Sequence, residues 1–199
     1  MVKLNAWKQG LGGTLLAAAL ALGAVPSAHA VATLSVSAPA TTLVGSPLTV
    51  NVLISGITDL FGYQFSLAYN PAVLRATNVA EGAFLATAGT TYFIGGTIDN
   101  TAGSVSAVAD ALIGPVPGAG GSGTLVTLSF DVTGPGTSTL VFSDVQLLSS
   151  SAADIPFTIS NGTVTATSAV PEPAALALAG AGAAGLLMWR RRTAGSASA

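Results

Sequence analysis

The central part of this 199-residue chain is almost without positive charge and contains no cysteine. Between residues 31 and 169, Arg75 is the only basic residue, and the chain's single histidine, His29, precedes that part. Serine triads, cysteine nucleophiles, lysine Schiff bases and histidine metal sites are therefore excluded there. One arginine does not suffice to neutralise the phosphates of a nucleic acid, which excludes nucleic-acid binding. The composition thus predicts no catalytic residue, no metal site and no cofactor.

Acidic residues are present, and they are the remaining candidates for chemistry. Seven of them against one arginine give residues 31–169 a net charge of −6. They are Asp59, Glu81, Asp99, Asp110, Asp131, Asp144 and Asp154. Glycoside hydrolysis needs two carboxyl groups at a suitable separation, one of them with a raised pKa. Asp59, Asp110, Asp144 and Asp154 lie next to turns or strand ends, where aspartate is common, so the sequence favours a protein that is not an enzyme.

The first thirty residues have the organisation of a secretory signal peptide. Lys3 and Lys8 form a basic segment, residues 11–25 are apolar, and Ala28-His29-Ala30 is a small-residue cleavage site. The pattern predicts cleavage after Ala30, with a retained N-terminal anchor as the alternative. Because no cysteine follows, the exported part depends on its own apolar core rather than on disulfides.

The last thirty residues combine a proline motif, an apolar run and a basic cluster. Val170-Pro171-Glu172-Pro173 precedes the apolar residues 174–189, and Arg190, Arg191 and Arg192 follow. As a helix the run would be about 24 Å long, short of the roughly 30 Å hydrocarbon core, so it is a marginal membrane span. A buried alanine-rich helix is the alternative interpretation.

These three parts, in this order, resemble the PEP-CTERM sorting signal of Gram-negative bacteria. The resemblance implies recognition by an exosortase, a membrane-embedded cysteine protease, and removal of the tail near the Pro-Glu-Pro. It implies a hydrophobic helix at 174–189 that anchors the protein in the inner membrane for a time. The chain would then be exported to the cell surface, the outer membrane or the medium.

Residues 31–167 show the alternation typical of β-strands. In the clearest run Tyr63, Phe65, Leu67 and Tyr69 face one way and small or polar residues the other. Nine short strands are predicted, which is the count expected of a β-sandwich. They are 33–37, 48–55, 63–69, 74–79, 92–98, 104–109, 124–132, 139–147 and 157–165.

Three connections are also predicted. The glycine- and proline-rich residues 114–123 predict a mobile loop. Residues 81–86 are consistent with either a loop or one helical turn. Asp99-Asn100 with Gly103 favours a hairpin turn over a calcium loop, because the alternating acids and distant glutamate of such loops are missing.

Several segments resemble cohesin domains over roughly residues 48–165. Gly62 to Leu74 looks like the G-x-Q-F-x-L-x-Y-(D/N)-P-x-V-L segment of that family, and Gly82 and Phe84 fall in a short following loop. The strands at 123–130 and 140–147 and the closing segment 161–164 also resemble the family's. The resemblance implies a nine-stranded jelly-roll sandwich, and in cellulosomes a cohesin binds a dockerin through one exposed sheet face.

The residues expected on this face follow from the alternation and from the family's strand order. The candidate binding residues are Gln64, Ser66, Asn70, Tyr92 and Ser143. Ala68, Ser106, Val108, Asp110 and Val141 are expected beside them. The face is poor in the aromatic and arginine side chains that usually dominate binding, so an ordinary solvated sheet face is the alternative.

Three parts are therefore predicted: a signal peptide at 1–30, a cohesin-like all-β sandwich at 31–167 and a sorting segment at 168–199. The predicted function is a non-enzymatic surface or matrix protein that binds a dockerin-like protein or a surface polysaccharide. A structural component of the exopolysaccharide matrix without a specific ligand is the alternative.

Overall fold

The computed structural model describes residues 31–168, which form twelve β-strands and one helical turn. The signal peptide with Ala28 and Ala30, the sorting motif, the predicted helix 174–189 and the three C-terminal arginines lie outside the described residues. The elements are β1 (Ala32–Ser37), β2 (Thr41–Leu43), β3 (Pro47–Leu60), β4 (Gly62–Ala68), β5 (Leu74–Glu81), α1 (Ala83–Ala86), β6 (Thr91–Ile94), β7 (Thr97–Asp99), β8 (Ser104–Leu112), β9 (Ala119–Val132), β10 (Gly136–Leu148), β11 (Phe157–Ser160) and β12 (Gly162–Thr167).

The strands form two sheets packed face to face. The first sheet has the order β11-β1-β3-β9-β5, and the second has the order β2-β12-β10-β4-β8-β6, with β7 pairing with β8. Most pairs are antiparallel, while β1–β11 and β12–β2 are parallel. This arrangement confirms the predicted all-β jelly-roll sandwich.

Alternating apolar residues build the core between the sheets. Leu48, Val50, Val52 and Ile54 of β3 are buried, as are Val126, Leu128, Phe130 and Val132 of β9. From the second sheet, Tyr63, Phe65 and Leu67 meet them, and Phe142 packs edge-on against the Phe65 ring at 5.5 Å. The predicted inward face of these strands is confirmed.

Three of the twelve strands are additional to the nine predicted, and two arise because a predicted strand is divided. Gly95 and Gly96, the latter with φ of 72°, separate β6 from β7. At Asn161 the chain leaves the first sheet, where β11 pairs with β1, and enters the second, where β12 pairs with β10. The third addition is the short strand β2. Residues 81–86 contain one helical turn, α1, one of the two predicted alternatives.

The prediction of a loop over 114–123 is wrong for its second half, because β9 begins at Ala119. Gly121 lies opposite Ile57, and Ala119 lies opposite Leu60. A side chain at Gly120 would crowd the carbonyl oxygen of Thr58, at 3.2 Å from its Cβ. Gly120 therefore allows close strand approach and Gly121 a positive φ of 112°, whereas the sequence pattern indicated turns.

Two residues of β8 that were predicted on the exposed face are buried, because the strand contains a bulge. Ala107 has φ of 54°, and the register between β4 and β8 shifts there. Beyond the bulge the alternation is reversed, so Val108 and Asp110 are buried while Ala109 and Ala111 face outward.

Within residues 31–168 no helix is long and apolar enough to cross a membrane. The single helical element, α1, has four residues. It packs on β9, where the Phe84 ring lies over Gly123.

Candidate functional site

The outer face of the second sheet carries two registered rows of side chains across four strands. One row runs from Tyr92 through Ala111 and Gly62 to Leu148. The next runs from Ile94 through Ala109 and Gln64 to Gln146. Each row thus has a large side chain on the edge strand β6, an alanine beside it on β8 and a larger residue on β10, with Gly62 or Gln64 of β4 between the alanine and β10.

This size pattern forms a shallow apolar groove, which we call the β6 groove. It has a volume of about 200 Å³ and is lined by both rows. Tyr92 and Ile94 form one wall and are 66% and 47% exposed. Large exposed apolar side chains beside a preformed depression are the usual signs of a binding surface.

Two β-bulges lie on either side of Ser66, next to the groove. Ala107 on β8 and Asp144 on β10 both have positive φ, 54° and 51°, although neither is glycine. The Ala107 N–H donates to Ser66 Oγ at 3.3 Å, and Ser143 lies directly opposite Ser66 on β10. Bulges and strained backbone of this kind are over-represented at functional sites.

The structure places four of the five predicted binding residues on this outer face: Gln64, Ser66, Tyr92 and Ser143. Asn70 instead follows β4 in a turn, where its Oδ1 accepts the Ala72 N–H at 3.0 Å. Its Nδ2 donates to the Thr137 carbonyl at 3.3 Å, so its side chain stabilises the turn.

Sequence reasoning missed Ile94, Ala109, Ala111 and Gln146. The bulge hid the two alanines because it reverses the alternation of β8. The signal was available in the spacing of Val105 and Val108, which are three residues apart and both buried. An odd spacing of apolar residues within a strand indicates a bulge.

A buried carboxyl group lies directly below the β6 groove. Asp110 is 3% exposed, and its Oδ1 has no hydrogen-bond partner within the described part of the chain. The Tyr63 hydroxyl lies 3.5 Å from Oδ2 but donates to the Leu125 carbonyl at 2.8 Å. Glu81 of the first sheet also faces Asp110, and its Oε1 accepts a hydrogen bond from Thr91 Oγ1 at 2.6 Å.

The surroundings of Asp110 favour its protonated form. Burial, followed by the negative charge of Glu81, raises the pKa of Asp110 to about 6. Burial also raises the pKa of Tyr63, and the charge of Asp110 adds to that effect. Asp110 therefore keeps its proton in mildly acidic solution, and the charge of Glu81 contributes to this.

The predicted hairpin at 99–103 is present as a turn. Asp99 Oδ1 accepts the N–H groups of Thr101 and Ala102, and these bonds hold the pKa of Asp99 below its usual range. Asn100, in the same turn, reaches across to β5. Its Oδ1 accepts the Tyr69 hydroxyl at 2.7 Å and the Ala76 N–H at 2.8 Å, and its Nδ2 donates to the Ala76 carbonyl.

The fold agrees with comparisons against known proteins. A family model described as "Cohesin domain" matches residues 32–166. The chain belongs to the cohesin family. A second model, the PEP-CTERM protein-sorting motif, matches residues 169–192, so this cohesin carries a sorting motif that indicates an exported protein of a Gram-negative bacterium. No curated protein matches this cohesin.

Solved cohesin structures share its fold at low sequence identity. A non-cellulosomal cohesin from the archaeon Archaeoglobus fulgidus is 19% identical, with a TM-score of 0.54 over 73% of this chain and 96% of that one. A type II cohesin from the Acetivibrio cellulolyticus cellulosome is 18% identical, with a TM-score of 0.55 over 68% and 95%. The Coh-OlpC–Doc435 cohesin–dockerin complex from Clostridium thermocellum gives 10% identity and a TM-score of 0.57 over 70% and 95%.

The substitution Asp110→Asn is expected to remove a pH dependence of stability. The folded pKa of Asp110 is raised from 3.8 to about 6, so its stabilising contribution is complete below pH 3.8 and is lost as the pH rises through 6. The full shift corresponds to about 3 kcal/mol, which solvent around the exposed Glu81 reduces to about 1–2 kcal/mol. Urea denaturation should show Asp110→Asn more stable than wild type by this amount at pH 8 and nearly equal to it at pH 4.

The matched control is Asp131→Asn, which removes an exposed carboxylate from the outer face of the first sheet. It should leave the difference between pH 4 and pH 8 unchanged. Equal pH profiles for wild type and Asp110→Asn would contradict a raised pKa for Asp110.

Proposed function

We propose that this protein is a non-enzymatic binding module at the cell surface that docks a dockerin-like protein on the outer face of its second sheet. The observation that carries the proposal is the β6 groove, where Tyr92 and Ile94 stand exposed beside a floor of Ala109, Ala111 and Gly62. The proposal also rests on membership of the cohesin family, since a related fold is found in complex with a dockerin in the Clostridium thermocellum structure.

The shape and chemistry of the face favour a protein partner. A flat sheet presents preformed surface, so little ordering is needed when a partner binds. The groove suits one or two apolar side chains, while Gln64, Gln146 and Ser143 are exposed polar groups that can form hydrogen bonds around it. Asp144 is the acidic residue of the bulge, and it favours a partner with a basic residue near its apolar anchor.

The acidic residues support a non-catalytic function. A buried carboxyl group with a raised pKa is a common signature of a catalytic acid. Asp110, however, is only 3% exposed and is covered by the sheet, so its carboxyl group is not presented to a substrate on the surface. Asp59 is engaged structurally, since its oxygens accept the Gly118 N–H at 2.9 Å and the Ser150 hydroxyl at 2.8 Å.

We further propose that the sorting segment acts as the family motif implies. Val170, Pro171, Glu172 and Pro173 would be the residues that exosortase recognises, with Arg190, Arg191 and Arg192 on the cytoplasmic side of a transient inner-membrane anchor. The signal peptide would be removed after Ala30. Delivery to the cell surface or the outer membrane would follow both events.

The substitution Ile94→Asp is expected to abolish partner capture, because it places a charge in the wall of the apolar groove. We expect a loss of affinity of at least about 30-fold, corresponding to about 2 kcal/mol. The measurement is affinity capture from the exported proteome with the full chain as bait, followed by titration of the captured protein that carries a dockerin. Ile159→Asp is the matched control, since Ile159 is 44% exposed but lies on β11 of the first sheet.

The outcomes separate the candidate functions. A dockerin-bearing protein that binds wild type and Ile159→Asp but not Ile94→Asp supports the proposal. Equal capture by all three baits rejects this face. Saturable retention on purified exopolysaccharide that Ile94→Asp alone removes would identify a polysaccharide ligand. Retention that no variant changes, with no protein captured, would favour a matrix component.

A further inference from the structure

The strand that forms the wall of the β6 groove is a short edge strand. It has four residues, lies at the end of the second sheet and, within residues 31–168, pairs with β8 alone. Gly95 and Gly96 follow it directly, and Gly96 has φ of 72°. Its position therefore depends on side-chain contacts with the rest of the sandwich as well as on its ladder.

One such contact joins β6 to the opposite sheet. Thr91, the first residue of β6, donates its hydroxyl to Glu81 Oε1 at 2.6 Å, and Glu81 is the last residue of β5 in the first sheet. Phe93, two residues along β6, lies directly opposite Asp110 on β8. Glu81 thus bonds to one inward-facing residue of β6, and Asp110 is the cross-strand neighbour of the other.

Among the charged and titratable groups around Asp110, Glu81 is the one whose movement would relieve the burial of a charged Asp110. Glu81 faces it from β5 and the Tyr63 hydroxyl from β4, while β9 contributes the Leu125 carbonyl, which Tyr63 already occupies. The helical turn α1 has only apolar residues, and Tyr92, the one titratable side chain of β6, lies on the outer face. The only cation in residues 31–168, Arg75, lies opposite Asp131 on the far part of β5.

We propose that the Asp110–Glu81 pair is a proton-operated latch that fixes β6, and with it the wall of the β6 groove. While Asp110 is protonated, its buried carboxyl group with the unpartnered oxygen is neutral, so Glu81 keeps its hydrogen bond to Thr91. When Asp110 loses that proton, its buried carboxylate faces the negative charge of Glu81. Glu81, which is exposed, then turns into solvent and releases Thr91.

The consequence for binding rests on the function proposed above. Tyr92 and Ile94 would be held in place below about pH 6 and would become mobile above it. A partner that inserts between them and the alanine floor would bind more tightly below pH 6 than above it, because less ordering is needed on binding.

The latch itself can be tested without any partner. Hydrogen exchange of the full chain, followed by mass spectrometry, would be measured at pH 5 and pH 8 on peptides that cover residues 91–94. After correction for intrinsic exchange rates, we expect about tenfold less protection of β6 at pH 8 than at pH 5 in the wild type. Asp110→Asn and Glu81→Gln keep the shape of the pair but cannot become doubly charged, so both should hold β6 equally protected at the two pH values.

A control variant and a set of control peptides complete the experiment. Asp131→Asn should behave as wild type, and peptides from β3 should show no pH effect in any variant. Protection of β6 that is independent of pH in the wild type, or that still falls in Asp110→Asn, overturns the latch. Because no ligand enters this measurement, it separates failure of the latch from failure of the proposed docking function.

Discussion

Replacing Gly82 with alanine is expected to lower the free energy of unfolding by about 3 kcal/mol or more. Gly82 connects β5 to α1, and its N–H donates to the Leu125 carbonyl at 2.8 Å. A Cβ at this position would overlap the carbonyl group of Thr124 and the backbone of Leu125 on β9. Because the obstacle is main chain within a paired strand, neither side can move without breaking hydrogen bonds.

Urea denaturation of Gly82→Ala against wild type measures this effect. Gly89→Ala is the matched control, because a Cβ there would meet only the side chains of Val116 and Leu112 at 3.5 Å or more. That control should change stability by less than about 1 kcal/mol. If both variants were equally stable, β9 would not approach Gly82 as closely as described.

Replacing Asn100 with alanine is expected to cost about 3 kcal/mol of stability. The side chain makes three hydrogen bonds, with the Tyr69 hydroxyl and with both backbone groups of Ala76. Ala76 lies on β5, the edge strand of the first sheet, so Asn100 acts there as a substitute for a neighbouring strand. Its removal leaves the Tyr69 hydroxyl and a buried peptide group without partners, which costs more than the bonds themselves contribute.

Thermal or urea unfolding of Asn100→Ala should be compared with that of Thr101→Ala. Thr101 is exposed in the same turn, and its side chain makes no hydrogen bond within the described part of the chain. We expect Thr101→Ala to lie within about 0.5 kcal/mol of wild type. Similar losses for the two variants would show that Asn100 has no special role.

The sequence predicted the sandwich well because burial imposes a period of two on most strands. Tyr63, Phe65 and Leu67 on β4 and the four apolar residues of β9 alternate without interruption, and the structure buries all of them. Gly82 and Phe84 were also identified, through their place in the family pattern, although the close contact with β9 depends on three-dimensional packing.

The prediction failed where the backbone departs from regular pairing. The bulge at Ala107 reverses the faces of β8, which moves Asp110 from the surface to the interior and brings Ala109 and Ala111 into the groove. The partnership of Asp110 with Glu81 joins two sheets and residues that are 29 positions apart in the sequence, so no local pattern indicates it. The groove likewise depends on cross-strand register, which alternation within one strand cannot supply.

The position of β12 has a mechanical consequence. This strand ends the described sandwich at Thr167 and lies between β10, which it pairs with over five residues, and β2, which it pairs with over three. A pulling force applied through the chain beyond β12 acts along the strand axis, nearly at right angles to the antiparallel β10–β12 bonds and across the slanted bonds of the parallel β12–β2 pair. Both ladders must therefore shear together rather than open one rung at a time, which makes the sandwich resistant to traction from its C-terminal side.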